Sequence, residues 1–173
     1  NEEIIEYYKP DFLISYNYRY IIGEDILDLF KSKSINLHIS LLPWNRGAFP
    51  NVWSFLHDTP KGVTIHILDE GIDTGDILIQ KEVFIDETKE TLASSYNILH
   101  KSLQELFKEN WMEIKLGKII PKKQIGKGSL NYIRDFNVIK SILRAKSWDI
   151  TIRELKENFK SFKEGITNVY YKK

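Results

Sequence analysis

The sequence predicts an α/β fold: the second half of a doubly wound open sheet in residues 1–121, followed by a small, mainly helical carboxyl-terminal extension in residues 122–173. Three observations predict it. Short β-rich runs at residues 12–15, 35–39, 63–68 and 77–83 alternate with segments of helical spacing, the pattern of a layered α/β domain. One run, Ile35-Asn36-Leu37-His38-Ile39, puts its apolar residues on one face and two polar residues on the other. A helical stripe of Leu92, Tyr96, Leu99, Leu103, Leu106 and Phe107 supplies the covering layer that an open sheet needs.

Residues 2–8 read as the tail of a helix. Pro10-Asp11 then leads into Phe12-Leu13-Ile14-Ser15, whose apolar character predicts a buried strand. The loop Tyr16-Asn17-Tyr18-Arg19-Tyr20-Ile21-Ile22 and a short helix from Gly23-Glu24-Asp25 to Phe30 lead to the Asn36 strand, which Leu41-Leu42-Pro43 ends. Pro50 suits the first turn of a helix that runs to His57, and Asp58-Thr59-Pro60-Lys61-Gly62 is a turn. The runs at 63–68 and 77–83 flank the loop Asp69-Glu70-Gly71-Ile72-Asp73-Thr74-Gly75-Asp76, and Gly117 ends the long helix. Beyond Pro121, residues 125–135 read as a glycine-punctuated loop, while residues 136–145 and 151–162 have helical spacing.

The chain has 173 residues, 42% of them hydrophobic, and a net charge of +1, which suits one soluble globular domain with a small appendage. Lysines near the carboxyl end are interspersed with Glu, Asp and aromatics, a solvated face rather than a phosphate-tracking groove, so no nucleic-acid partner is expected. With no cysteine there is no disulfide framework, and no apolar run approaches the ~20 residues that cross a bilayer. A cytoplasmic location without membrane association is the expectation.

Asn36 and His38 share one strand face near the carboxyl end of a strand, where open α/β sheets bind ligands. Asp73 follows on a loop between two strands. Taken singly, each has an ordinary explanation: a strand histidine is often a satisfied structural residue, and Asp-Thr-Gly-Asp suits a turn. Their coincidence points to an active site.

Asn36-Leu37-His38-Ile39-Ser40-Leu41-Leu42-Pro43, then Gly62-Val63-Thr64-Ile65-His66, then Asp69-Glu70-Gly71-Ile72-Asp73-Thr74-Gly75-Asp76, resembles the formyltransferases that use 10-formyltetrahydrofolate: the phosphoribosylglycinamide, methionyl-tRNA and sugar-nucleotide enzymes. The resemblance runs from roughly Pro10 to Pro121. It implies a Rossmann-like formyltransferase domain, with Asn36, His38 and Asp73 in the places of the family's catalytic Asn, His and Asp. It also implies 10-formyltetrahydrofolate as formyl donor and no metal. The pterin would lie between a wall of Arg19, Tyr20 and Ile21 and a second wall of Asp69, Glu70, Gly71, Ile72 and Asp73. Tyr18 and Tyr20 suit ordinary packing equally well, and His66 and Ser40 read as support rather than chemistry.

The reaction implied is attack of a neutral amine on a formyl carbon held by a folate nitrogen. The resulting oxyanion needs fixed donors, which the Asn36 amide and a suitably protonated His38 supply. The amine must lose a proton and the leaving nitrogen gain one, a task for His38 paired with Asp73, directly or through an ordered water.

Asn45-Arg46-Gly47, then Pro50-Asn51 with an aromatic residue close by, most resembles the sugar-nucleotide branch, as do Arg134-Asp135 and Trp148-Asp149. The implied substrate is thus the amine of a nucleotide-linked amino sugar. A phosphoribosylglycinamide-type enzyme and an inactive remnant or binding module with a folate or nucleotide pocket stay open, as does a homodimer. The chain starts at Asn1 and its single methionine is Met112. The resemblance implies about three further strands ahead of Phe12, so the chain is expected to enter its fold part-way and, by itself, to be inactive and prone to self-association.

Overall fold

The computed structural model describes residues 2–30 and 33–170. In chain order the elements are α1 (Glu2–Tyr8), β1 (Leu13–Tyr16), α2 (Glu24–Phe30), β2 (Ser34–His38), β3 (Arg46–Gly47), α3 (Pro50–Leu56), β4 (Gly62–Ile67), β5 (Ile77–Glu82), α4 (Leu92–Lys115), β6 (Leu130–Asn131), α5 (Phe136–Leu143) and α6 (Ile152–Tyr170). The main sheet has the order β1-β2-β4-β5, and β3 pairs with β6. α2 crosses between β1 and β2 and makes them parallel, the connection expected of a doubly wound sheet. β4 and β5 extend that pair in antiparallel fashion, a common edge for a mixed α/β sheet.

The run beginning at Phe12 forms a strand, but not a buried one. Among the described residues β1 pairs only with β2: Ser15 is buried, whereas Ile14 and Tyr16 are 40% and 38% exposed. Apolar composition does not distinguish a strand with two neighbours from one with a single neighbour.

α4 lies over β2 and β4 and buries Leu92, Leu99, Leu103 and Leu106 against Ile35, Leu37, Val63 and Ile65. Each such leucine contributes about 2 kcal/mol of transfer free energy. A capping box starts the helix: Ser94 N–H donates to Thr91 Oγ1 at 3.1 Å and Thr91 N–H donates to Ser94 Oγ at 2.8 Å. Gly117, at φ +64°, takes the left-handed conformation that ends it. Thr91→Ala is expected to cost about 1 kcal/mol, read as a lowered midpoint in thermal or urea unfolding with turnover unchanged.

Residues 125–135, expected as a loop, hold β6 and a 3₁₀ turn at Ile133–Asp135. Two ladder residues show no alternation, which is why the sequence does not reveal them. α6 runs past residue 162 to Tyr170. Phe136, Ile139, Ile142, Ile150, Ile152 and Leu155 join the same apolar cluster as the sheet and α4, and Phe136 stacks on Phe49 at 3.8 Å between ring centres. No helix of the described residues is long and apolar enough to cross a membrane.

Candidate active site

Strand register assembles the site. In the antiparallel β2–β4 pair Asn36 stands opposite His66 and His38 opposite Thr64, and directly opposed residues point to one face. Across β4–β5 the register shifts between Ile65 and His66, so that Ile65 opposes Ile79 but His66 opposes Ile77. Such a bulge bends the strand and re-aims the side chain beside it.

Asp73 closes the group from the β4–β5 loop. Its Oδ1 accepts from Asn36 Nδ2 at 2.9 Å and lies 3.4 Å from His66 Nε2; its Oδ2 accepts from the Gly47 N–H at 2.8 Å and lies 3.6 Å from His38 Nδ1. Asp73 has φ +52°, a left-handed conformation that Asp tolerates better than most residues. Gln124 holds that turn, donating from Nε2 to Asp73 O at 2.8 Å and Gly75 O at 2.9 Å while its Oε1 accepts from Arg46 Nε at 3.0 Å and Nη2 at 2.8 Å. The next residues strap down Asn45, whose N–H donates to Ser129 Oγ at 2.8 Å.

Hydrogen bonding assigns the tautomers. His38 Nε2 faces the Asn45 carbonyl at 3.1 Å, an acceptor only, so Nε2 carries a hydrogen and neutral His38 turns a bare Nδ1 toward Asp73. Burial pushes the His38 pKa down; the nearby Asp73 carboxylate opposes this without reversing it, so His38 is neutral at pH 7. His66 Nδ1 donates to Ile67 O at 2.8 Å, leaving Nε2 to accept from Asn36 Nδ2 at 3.3 Å. Both Asn36 amide hydrogens are thereby engaged. Burial raises the Asp73 pKa, but His38, His66 and the Gly47 N–H together outweigh it and hold the carboxyl well below the usual range.

These groups line a cleft of about 1230 Å³, above the usual size for a single drug-sized ligand. Arg19, Tyr20 and Ile21 line it on one side and Asp69, Gly71, Ile72 and Asp73 on another. Glu70 does not; its exposed carboxylate lies near Glu24 instead. Tyr18 and Tyr20 are exposed on the cleft side, edge to face at 5.6 Å, and do not pack in the core. Ser40 donates to Trp44 O at 2.7 Å and shapes the turn after β2. His66 stands inside the Asn36–Asp73 network rather than behind it. Its alternation with Thr64 was the available signal, whereas Gln124 has none.

A family model described as formyl transferase matches residues 1–110. The methionyl-tRNA formyltransferase of Thermodesulfovibrio yellowstonii is 40% identical over 68% of this chain and 38% of its own length, and that of Clostridium botulinum 35% identical over 99% of this chain and 60% of its own. The chain therefore spans about two fifths to three fifths of these relatives. Among solved structures, the formyltransferase PseJ from Anoxybacillus kamchatkensis, in complex with UDP-4,6-dideoxy-4-formamido-L-AltNAc and tetrahydrofolate, superposes with a TM-score of 0.80 at 49% identity, covering 84% of this chain and 76% of PseJ. With a family model matched over more than half its residues and a fold shared with a solved member at nearly half identity, this chain belongs to the formyl transferase family.

Proposed function

We propose that the protein transfers the formyl group of 10-formyltetrahydrofolate to the amine of a nucleotide-linked amino sugar. The observation that carries this is the meeting of three side chains in a cleft wide enough for two ring-bearing ligands: Asn36 donates to Asp73 at 2.9 Å, and His38 Nδ1 stands 3.6 Å from the same carboxylate. The sugar-nucleotide branch is favoured by the 49% identity to PseJ, whose complex holds a formamido sugar nucleotide. Methionyl-tRNA is the second reading, favoured by the 40% and 35% identical relatives. Residues 1–121 would form the catalytic portion and residues 122–173 an extension that buttresses it.

Ile21, Ile22, Leu68 and Ile72 give the cleft lining apolar surface suited to a flat pterin, and Arg19, Tyr20, Asp69 and Gly71 line it as well. The donor supplies a formyl group already activated on nitrogen. Everything else falls to the protein. His38 Nδ1 takes the proton of the attacking amine, and the imidazolium so formed is stabilised by the Asp73 carboxylate. That proton passes to the folate nitrogen as the tetrahedral intermediate collapses and the bond from that nitrogen to the formyl carbon breaks. Asn36 turns toward the formyl oxygen the hydrogen it lends to His66, the longer of its two bonds, while its bond to Asp73 keeps the amide aimed. Neutral His38 cannot serve as an oxyanion donor through Nδ1; it becomes one after taking the proton.

A base that must be neutral works above its pKa, and that of His38 is lowered. The acid limb of kcat/KM is therefore expected to have its midpoint below pH 6.5, checked from pH–rate profiles at substrate well below KM; a midpoint above 7 contradicts the assignment. The function is tested by formylation assays with 10-formyltetrahydrofolate against amino sugar nucleotides, phosphoribosylglycinamide and methionyl-tRNA in parallel. Turnover of methionyl-tRNA alone overturns the sugar reading, and turnover of none overturns the enzyme.

A further inference from the structure

Three polar atoms on residues lining the cleft have no hydrogen-bond partner among the described residues: Asn51 Nδ2, Asn131 Nδ2 and His100 Nε2. Asn51 and Asn131 are only 1% and 6% exposed. On α4 the hydrogen of His100 is assigned from a chain in which the Tyr16 hydroxyl, accepting from Gln104, donates onward. Gln104 Nε2 donates to Tyr16 Oη at 3.0 Å, Tyr16 O–H donates to His100 Nδ1 at 2.6 Å, and the ring hydrogen is left on Nε2. All three are donors. A buried donor without a partner is costly in the free protein, and native structures carry few of them.

The positions of the amides relate them to the reacting end. Asn131 pairs with Gly47 in the β3–β6 ladder, and Gly47 N–H is the group that donates to Asp73. Asn51 follows in the first turn of α3, and all these residues line the same cleft. The apolar surface of Ile21, Ile22, Leu68 and Ile72 suits a flat ring. The donors suit a ligand rich in acceptor oxygens placed beside the amine. We propose that Asn51 and Asn131 hydrogen-bond to ring-substituent oxygens of the sugar that carries the amine, with His100 Nε2–H donating from the α4 side, and that these residues set which sugar is accepted. This rests on the sugar-nucleotide reading given above.

The test replaces each amide by a near-isosteric apolar residue, Asn51→Leu and Asn131→Leu, in the full protein, with the alanine variants alongside in case bulk disturbs folding. Three quantities are read: the melting temperature of the free protein, KM and kcat for the sugar nucleotide, and the affinity for a stable folate analogue. The expected result is an unchanged or raised melting temperature, a rise in KM of about 10–100-fold, and folate affinity within twofold of wild type. A lowered melting temperature with KM unchanged means that the amides serve the fold, and overturns the proposal. Wild type that formylates no amino sugar nucleotide overturns the function itself and the sugar as occupant with it, an outcome read without any variant.

Discussion

Asp73→Ala is expected to lower kcat by on the order of a thousandfold or more while leaving the affinity for a folate analogue within a few-fold of wild type. The carboxylate binds one Asn36 hydrogen through Oδ1 and the Gly47 N–H through Oδ2, and it stands beside the bare nitrogen of His38. Its removal frees the amide to rotate and withdraws the charge that would stabilise protonated His38. Both losses fall on the transition state rather than on the apolar part of the cleft proposed for the pterin, which Ile21, Ile22, Leu68 and Ile72 line. His38→Ala is expected to match it in size, and the double variant to lose little more than either, because the two act as a unit. A kcat within tenfold of wild type for either single variant, by steady-state assay, would remove the pair from the chemistry.

Gly47→Ala is the second large effect, and it acts through backbone. Gly47 has φ +84°, and a Cβ there would meet the Asn131 carbonyl oxygen at 2.3 Å. Alanine must leave the left-handed region or push β6 away, and either move draws the Gly47 N–H off Asp73. Strain of this kind costs at least about 2 kcal/mol. We expect thermal unfolding to show that loss and kcat to fall on the order of a hundredfold, in a variant that alters no side chain able to carry a proton. A variant with wild-type melting temperature and kcat would show that the β3–β6 contact does not hold the carboxylate.

The local parts of this site were legible because strands have period two: Asn36 and His38 had to share a face, and Pro43 had to end what followed. α3, α4, β4 and β5 were legible for the same kind of reason, each carrying a strong period or a Pro or Gly boundary. What joins Asn36 to His66 is register, and a bulge one residue from His66 helps to set its aim; neither is written in any short window. Glu70 illustrates the converse. It belongs to the same loop as Asp73, yet a loop presents successive side chains in different directions, and this one stays outside the cleft. Exposure likewise depends on which strands lie alongside, so Phe12-Leu13-Ile14-Ser15 could not announce that β1 pairs only with β2 among the described residues.

The Gln124 clamp ties the site to the order in which the chain can assemble. Its bond to the Asp73 carbonyl joins residues 51 positions apart, and Lys122 meets Ile77 across a similar span. Closing a loop of that length costs entropy before any contact is gained. The sheet and α4 can consolidate from nearer neighbours, whereas the turn at Asp73 acquires its final shape only when the segment beyond Pro121 docks. Opening of the stretch around Lys122 and Gln124 alone, with the hydrophobic core intact, would release Asp73 from its strained conformation. Catalytic competence would then be lost at a lower free-energy threshold than the fold, and hydrogen exchange at the carboxylate's loop would run faster than exchange in β2 and β4.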